Sequence, residues 1–229
     1  ESDIIQSVAD ALQFISYFHP MDYIRALGDA YEKEQGPAAK DAIAQILTNS
    51  RMCAEEHRPI CQDTGTPIFY VHYPVGLSTI KLKEQIRSAM AEATKRSYMR
   101  PNAVDAIYDK NTGNNLGGDD FPYVHFEEVE GDDLTIELML KGGGCENVGR
   151  QYSLPDNTVG AGRDLAGVRK VVLDAVQKAQ GQGCAPGILG VAIGGDRGSS
   201  YIKSKEVLFS EMGTRNADPK IAELEERLT

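Results

Sequence analysis

Pro59 and Pro67 bracket the stretch Pro59-Ile60-Cys61-Gln62-Asp63-Thr64-Gly65-Thr66-Pro67, and together they force a change of secondary structure across it. Each proline locks its own φ, and Asp63-Thr64-Gly65 is turn chemistry, so no helix can run through the segment. Upstream, apolar residues recur at helical spacing; downstream, Ile68-Phe69-Tyr70-Val71-His72-Tyr73 is β-branched and aromatic, as a strand requires. The chain must pass from a helical layer to a sheet at this bend. That predicts an α+β fold with helices packed around a mixed sheet and Cys61, Gln62 and Asp63 held rigidly at a strand entrance.

The helical layer reads as three segments. Ile4, Ile5, Val8, Ala11, Leu12 and Ile15 mark a helix over 3–16, broken by His19-Pro20. A second spans 21–35 and stops at Gly36-Pro37; a third spans 38–55, with Ala39, Ala42, Ile43, Ile46 and Leu47 on one face. After the first strand a helix over 79–98 ends at Arg100-Pro101, where the proline expels the preceding residue from helical geometry. Residues 109–120 form a polar, glycine-rich loop. Strands over 122–130 and 134–140, joined through Gly131-Asp132, read as a hairpin. A helix over 163–180 places Leu165, Val168, Val171 and Val172 inward. The apolar run Ile188-Leu189-Gly190-Val191-Ala192-Ile193 reads as a buried strand followed by the glycine-rich loop 194–200, and 201–229 is helical and increasingly charged.

Three stretches carry chemistry. In the first, a thiolate, an amide and a carboxylate occupy consecutive positions, so one loop could hold a soft metal, orient a substrate oxygen and move a proton. The same residues equally describe a buried cysteine beside a capping aspartate. His57 and Arg58, just before it, read as solvated loop residues or, in the alternative, as anion contacts, and Arg100 by itself as a surface arginine at a helix C-terminus. The second stretch, Lys141-Gly142-Gly143-Gly144-Cys145-Glu146-Asn147, concentrates glycine between Lys141 and Arg150, which favours an anion-binding loop over a wide turn. The third, Cys184-Ala185-Pro186-Gly187, sets another cysteine in a proline/glycine turn.

Composition narrows the partners. Acidic residues outnumber basic ones, 34 to 24, for a net charge of −10, which argues against nucleic acid. No apolar run reaches the length of a membrane span, and the N-terminal residues lack a signal-peptide pattern, so the expectation is a cytoplasmic or organelle-matrix protein. The four cysteines, Cys53, Cys61, Cys145 and Cys184, are too dispersed for a disulfide scaffold or a zinc motif. The glycine spacings do not match a dinucleotide fingerprint. Dispersed cysteines on separate turns can serve an iron–sulfur cluster when the fold gathers them.

The phrase Pro59 to Gly65, the loop Lys141 to Asn147 and Gly183-Cys184-Ala185-Pro186-Gly187 with Gly194-Gly195 resemble, in this order, the iron–sulfur-dependent class I fumarase and L(+)-tartrate dehydratase family. The likeness is to its N-terminal region, or to the α subunit of two-subunit members, and it runs over essentially the whole of 1–229. It implies a hydro-lyase that interconverts fumarate and malate, with tartrate as the same-class alternative. It implies a [4Fe–4S] cluster with Cys61 and Cys184 as two ligands; the third lies beyond Thr229, and Cys145, where many members have serine, is not that ligand. It also implies Asp63 as a catalytic residue, Gln62, Asp63, Arg100, Gly143 and Gly144 as dicarboxylate contacts, and a C-terminal domain or β subunit completing the site in a homo- or hetero-oligomer. Two readings from other classes stand beside it: a non-catalytic scaffold that binds a partner subunit, and a nucleotide-binding protein using the glycine loops.

Overall fold

A computed structural model describes residues 2–228. The order of elements is α1 (Ser2–Tyr17), α2 (Met21–Lys33), α3 (Pro37–Glu56), β1 (Thr66–Pro74), α4 (Thr79–Lys95), β2 (Val104–Asp105), β3 (Lys110–Asn111), β4 (Tyr123–Val129), β5 (Thr135–Lys141), α5 (Gly143–Asn147), α6 (Leu165–Ala179), α7 (Arg197–Glu206) and α8 (Pro219–Leu228). These divide into two compact units, Glu1–Gly142 and Gly143–Thr229. Helices and a mixed sheet make the fold α+β.

The first unit is built on β1. Its strand order is β4-β1-β5, with β4 parallel and β5 antiparallel to β1. Phe69 and Val71 alternate onto one face of β1 and are fully buried among Val8, Ala9 and Leu12 of α1 and Leu82, Ile86, Ala89, Met90 and Ala93 of α4. Period-2 alternation in the strand meets period-3.6 stripes in the helices, and this shared apolar face is the core. Ser78 caps α4, its hydroxyl accepting the Lys81 amide. The helices expected over 3–16, 21–35, 38–55, 79–98 and 163–180 are found, with ends that move by a few residues, whereas 201–229 is not helical throughout: residues 210–218 part α7 from α8.

Two further expectations are corrected. The strands β4 and β5 do not form a hairpin with each other; β1 lies between them and pairs with both. Local turn chemistry at Gly131-Asp132 suits a hairpin, but β1, the strand whose residues 67–71 are all buried, takes the central position, where both of its edges find partners. The apolar run 188–193 is not a buried strand: Ile188, Leu189, Val191 and Ile193 are exposed, and among the described residues the run joins no ladder. Gly190 is pressed against α7, where an added Cβ would come within 1.9 Å of the Ser204 carbonyl oxygen. An apolar run reports a tendency to be buried, and it becomes a strand only where a partner edge exists.

The second unit has a small core of Val168 and Val172 of α6 with Leu224 of α8. Asp164 caps α6 by accepting the Gly167 amide at 2.7 Å, and Asp196 caps α7 by accepting from Gly198 and Ser199. The glycine-rich stretch 194–200 is thus the cap and first turn of α7.

Candidate functional site

The cysteine loop is tied down at its start by the helical layer. The Ile60 amide donates to the Ser16 carbonyl oxygen at the end of α1, 2.9 Å away, and Asn49 Nδ2 of α3 donates to the Ile60 carbonyl at 3.0 Å. The Cys53 sulfur lies 3.7 Å from both Asn49 Oδ1 and the Pro59 carbonyl oxygen. Burial, and then the charge of Glu56, pushes the Cys53 thiol pKa up, which disfavours the thiolate that a metal would bind. Cys61, Gln62 and Asp63 are exposed on the bend that follows.

The far end of the loop is held by glycine geometry. The Gly65 amide donates to Asp63 Oδ1 at 3.1 Å, a tight Asx turn. Gly65 has φ +95°, and a Cβ there would stand 2.9 Å from the backbone of Leu140 and Lys141 at the end of β5. Only glycine satisfies both the conformation and the close approach. The Asp63 carboxylate is set beside Gly142, whose ideal Cβ position is 3.4 Å from Oδ2.

A second turn reaches the same loop. Arg100 Nη1 donates to the Gln62 carbonyl at 3.3 Å, and Asn102 Nδ2 points to the same oxygen at 3.4 Å and to Thr64 Oγ1 at 3.5 Å. The first unit therefore brings together Cys61, Gln62, Asp63 and Arg100. Asn102 and Asn49 join them without having been singled out from the sequence. Isolated asparagines in polar loops carry no spacing signal, and their roles here come from segments distant in the chain.

Gly143, Gly144, Cys145 and Cys184 belong to the second unit. The glycine stretch folds as the short α5, and its backbone meets the turn that leads to Cys184. A Cβ on Gly144 would touch the Gln182 carbonyl oxygen at 3.9 Å, and one on Gly183 would crowd Val148 at 3.2 Å. Lys205 Nζ of α7 pairs with Glu146 Oε1 at 2.5 Å, and both side chains are largely sheltered. Cys184 is exposed and Cys145 half-buried.

The donor chemistry fits an iron–sulfur group at two positions. Cys61 and Cys184 are exposed on proline- and glycine-framed turns, whereas Cys53 is buried with its thiol pKa raised. Among the described residues no group of three His, Cys, Asp or Glu side chains is gathered at one point.

The sequence model of fumarate hydratase (Fumerase) matches residues 5–229. A Geobacillus stearothermophilus protein named as a class I fumarate hydratase is 47% identical over 211 residues, covering 90% of this chain and 41% of that protein. The chain thus spans about two fifths of that relative's length. The L(+)-tartrate dehydratase subunit alpha of Escherichia coli strain UTI89 is 30% identical over 227 residues, covering 98% of this chain and 73% of the subunit. A Methanocaldococcus jannaschii protein named for the same subunit is 29% identical over 226 residues, with 96% and 77% covered. With a match along nearly its whole length, the chain belongs to the fumarate hydratase (Fumerase) family.

Proposed function

We propose that the chain is the α-type portion of an iron–sulfur hydro-lyase that reversibly hydrates fumarate to malate. The observation that carries this reading is the convergence of the Arg100 guanidinium on the loop that bears Cys61, Gln62 and Asp63. A cation beside a soft metal donor is what a hydroxy dicarboxylate requires.

Cys61 and Cys184 would hold a [4Fe–4S] cluster, with the third thiolate supplied by polypeptide outside these 229 residues. The greater length of the relatives supports this, as does the burial of Cys53, which raises its thiol pKa. When bound, the cluster supplies Lewis acidity beside the departing hydroxyl. Arg100 binds a substrate carboxylate through its fork of N–H donors, and the Gln62 amide orients a substrate oxygen. Asp63, whose Oδ1 accepts the Gly65 amide at 3.1 Å, would act as a catalytic residue in contact with the substrate, while the base that takes the proton would come from the completing domain or subunit. Backbone N–H groups of Gly143 and Gly144 add contacts to substrate. A β-type domain or subunit completes the site, in keeping with relatives named as α subunits. A cytoplasmic or organelle-matrix location and a place in central dicarboxylate metabolism are part of the same proposal.

L(+)-tartrate is the second reading, favoured by the alignment of nearly the whole chain with tartrate dehydratase α subunits. Anaerobic reconstitution with iron and sulfide, alone and with the completing domain or β partner, tests both. Iron content and hydration of fumarate are expected only in the completed assembly, and tartrate turnover in place of fumarate turnover would select the second reading. Cys61→Ser and Cys184→Ser are expected to lose iron, while Cys145→Ser retains it. Equal iron loss in all three overturns the ligand assignment.

A further inference from the structure

Asn115 stands in the middle of the polar loop 109–120, yet it is only 6% exposed. Every hydrogen-bonding capacity of its side-chain amide is used. Oδ1 accepts the backbone amides of Asn102 at 2.7 Å and Ala103 at 3.1 Å. Nδ2 donates to the Arg100 carbonyl oxygen at 2.7 Å and to Thr94 Oγ1 at 3.0 Å. The orientation of the amide is settled by these partners, because two backbone N–H groups demand the oxygen and a carbonyl demands the nitrogen. The backbone has φ +57°, a left-handed conformation that asparagine tolerates better than most residues.

These contacts staple three segments. Thr94 is in the last turn of α4, and its hydroxyl donates back to the Met90 carbonyl at 2.8 Å. Arg100, Asn102 and Ala103 flank Pro101, so the side chain of Asn115 defines the turn at the point where the helix has ended. A fully satisfied buried amide is rigid, and a half-satisfied one is costly, so the turn has one favoured geometry. In that geometry Arg100 and Asn102 both donate to the Gln62 carbonyl.

We propose that Asn115 is a positioning residue for substrate binding: it sets the Arg100–Ala103 turn so that the Arg100 guanidinium is held at the cysteine loop. It touches neither substrate nor cofactor. The proposal rests on the carboxylate-binding role assigned to Arg100.

The test compares Asn115→Asp, Arg100→Ala and the double variant in the reconstituted enzyme. It reads dicarboxylate affinity, KM against kcat, and amide hydrogen exchange at Asn102 and Ala103. Asp keeps the shape and the acceptor but cannot donate to the Arg100 carbonyl. Asn115→Asp is expected to weaken dicarboxylate binding roughly tenfold or more, mainly in KM, and to speed exchange at both amides. The double variant should bind no more weakly than Arg100→Ala, since both changes act through one interaction. Fully additive losses would overturn the proposal, as would unchanged exchange at Asn102 and Ala103. If Asn115→Asp does not fold, Thr94→Val removes a single arm of the staple and is expected to give a smaller loss of the same kind; no loss overturns the proposal. Faster exchange combined with normal dicarboxylate binding by Arg100→Ala overturns the reading of Arg100 and leaves the staple standing.

Discussion

At the scale of single residues, the cysteine loop depends on atoms that carry no chemistry of their own. Gly65 is the clearest case, because its backbone conformation and the absence of a side chain are both required against β5. Gly65→Ala is expected to destabilise the first unit by about 1–3 kcal/mol through backbone strain, with a further penalty from the close approach. Urea unfolding of the variant against the parent measures this. Arg100 is exposed and donates to a neutral carbonyl, so its removal should leave stability almost unchanged. If Arg100 binds the substrate as proposed, Arg100→Ala is expected to cost about 1.5–3 kcal/mol of dicarboxylate affinity, the worth of hydrogen bonds to a charged group. Calorimetric titration with a dicarboxylate gives the number, and an unchanged affinity removes Arg100 from the site.

At the scale of elements, carboxylates hold the second unit together. Asp196 caps α7, and its hydrogen bonds to Ser199, side chain then backbone, and to Gly198 hold its pKa below the ordinary 3.8. Asp174 is lowered first by its hydrogen bond with Lys178 and then by the Tyr152 hydroxyl, and Asp156 first by the Thr158 hydroxyl. A depressed carboxylate contributes its full stability above its unfolded pKa and loses it as pH falls through the folded value. The second unit is therefore expected to weaken below about pH 4, and Asp196→Asn should flatten that acid response in a pH series of thermal melts. The sign reverses for Tyr152, whose phenol is pushed up to about 12 by burial and then by Asp174. Its contribution is complete below the ordinary 10.0 and declines as pH rises toward 12. Asp164→Ala, which removes the cap of α6, is expected to cost about 1 kcal/mol.

At the scale of the whole molecule, the two units differ in how much apolar surface they seal. The first buries Phe69, Leu12, Ile86, Met90 and Val71 in one continuous core, whereas the second relies on Val168, Val172 and Leu224. Stability follows buried apolar area. Hydrogen exchange of the intact chain is expected to be slowest in β1 and α4 and faster throughout α6 to α8; uniform protection across residue 142 would refute this. In the second unit the Lys205–Glu146 pair joins α5 to α7 while both side chains are sheltered. Lys205→Ala is expected to raise exchange over residues 143–149, and Lys205→Arg to restore protection.

The amino-acid sequence by itself determined most of the helices, the strand β1, the bend at Pro59 to Pro67 and the placing of Cys61 and Cys184 on proline- and glycine-framed loops. These depend on apolar period, on proline and glycine, and on local capping, which act over a few residues. The family likeness was legible for the same reason, since its motifs are contiguous. Only the tertiary structure decided that β1 separates β4 from β5, because strand order is a contest among edges that no local pattern records. It alone placed Ile188 to Ile193 outside a ladder, separated buried Cys53 from exposed Cys61, and drew Arg100, Asn102 and Asn115 to one loop. Those outcomes rest on hydrogen bonds and burial between residues far apart in the chain, where neither composition nor spacing carries information.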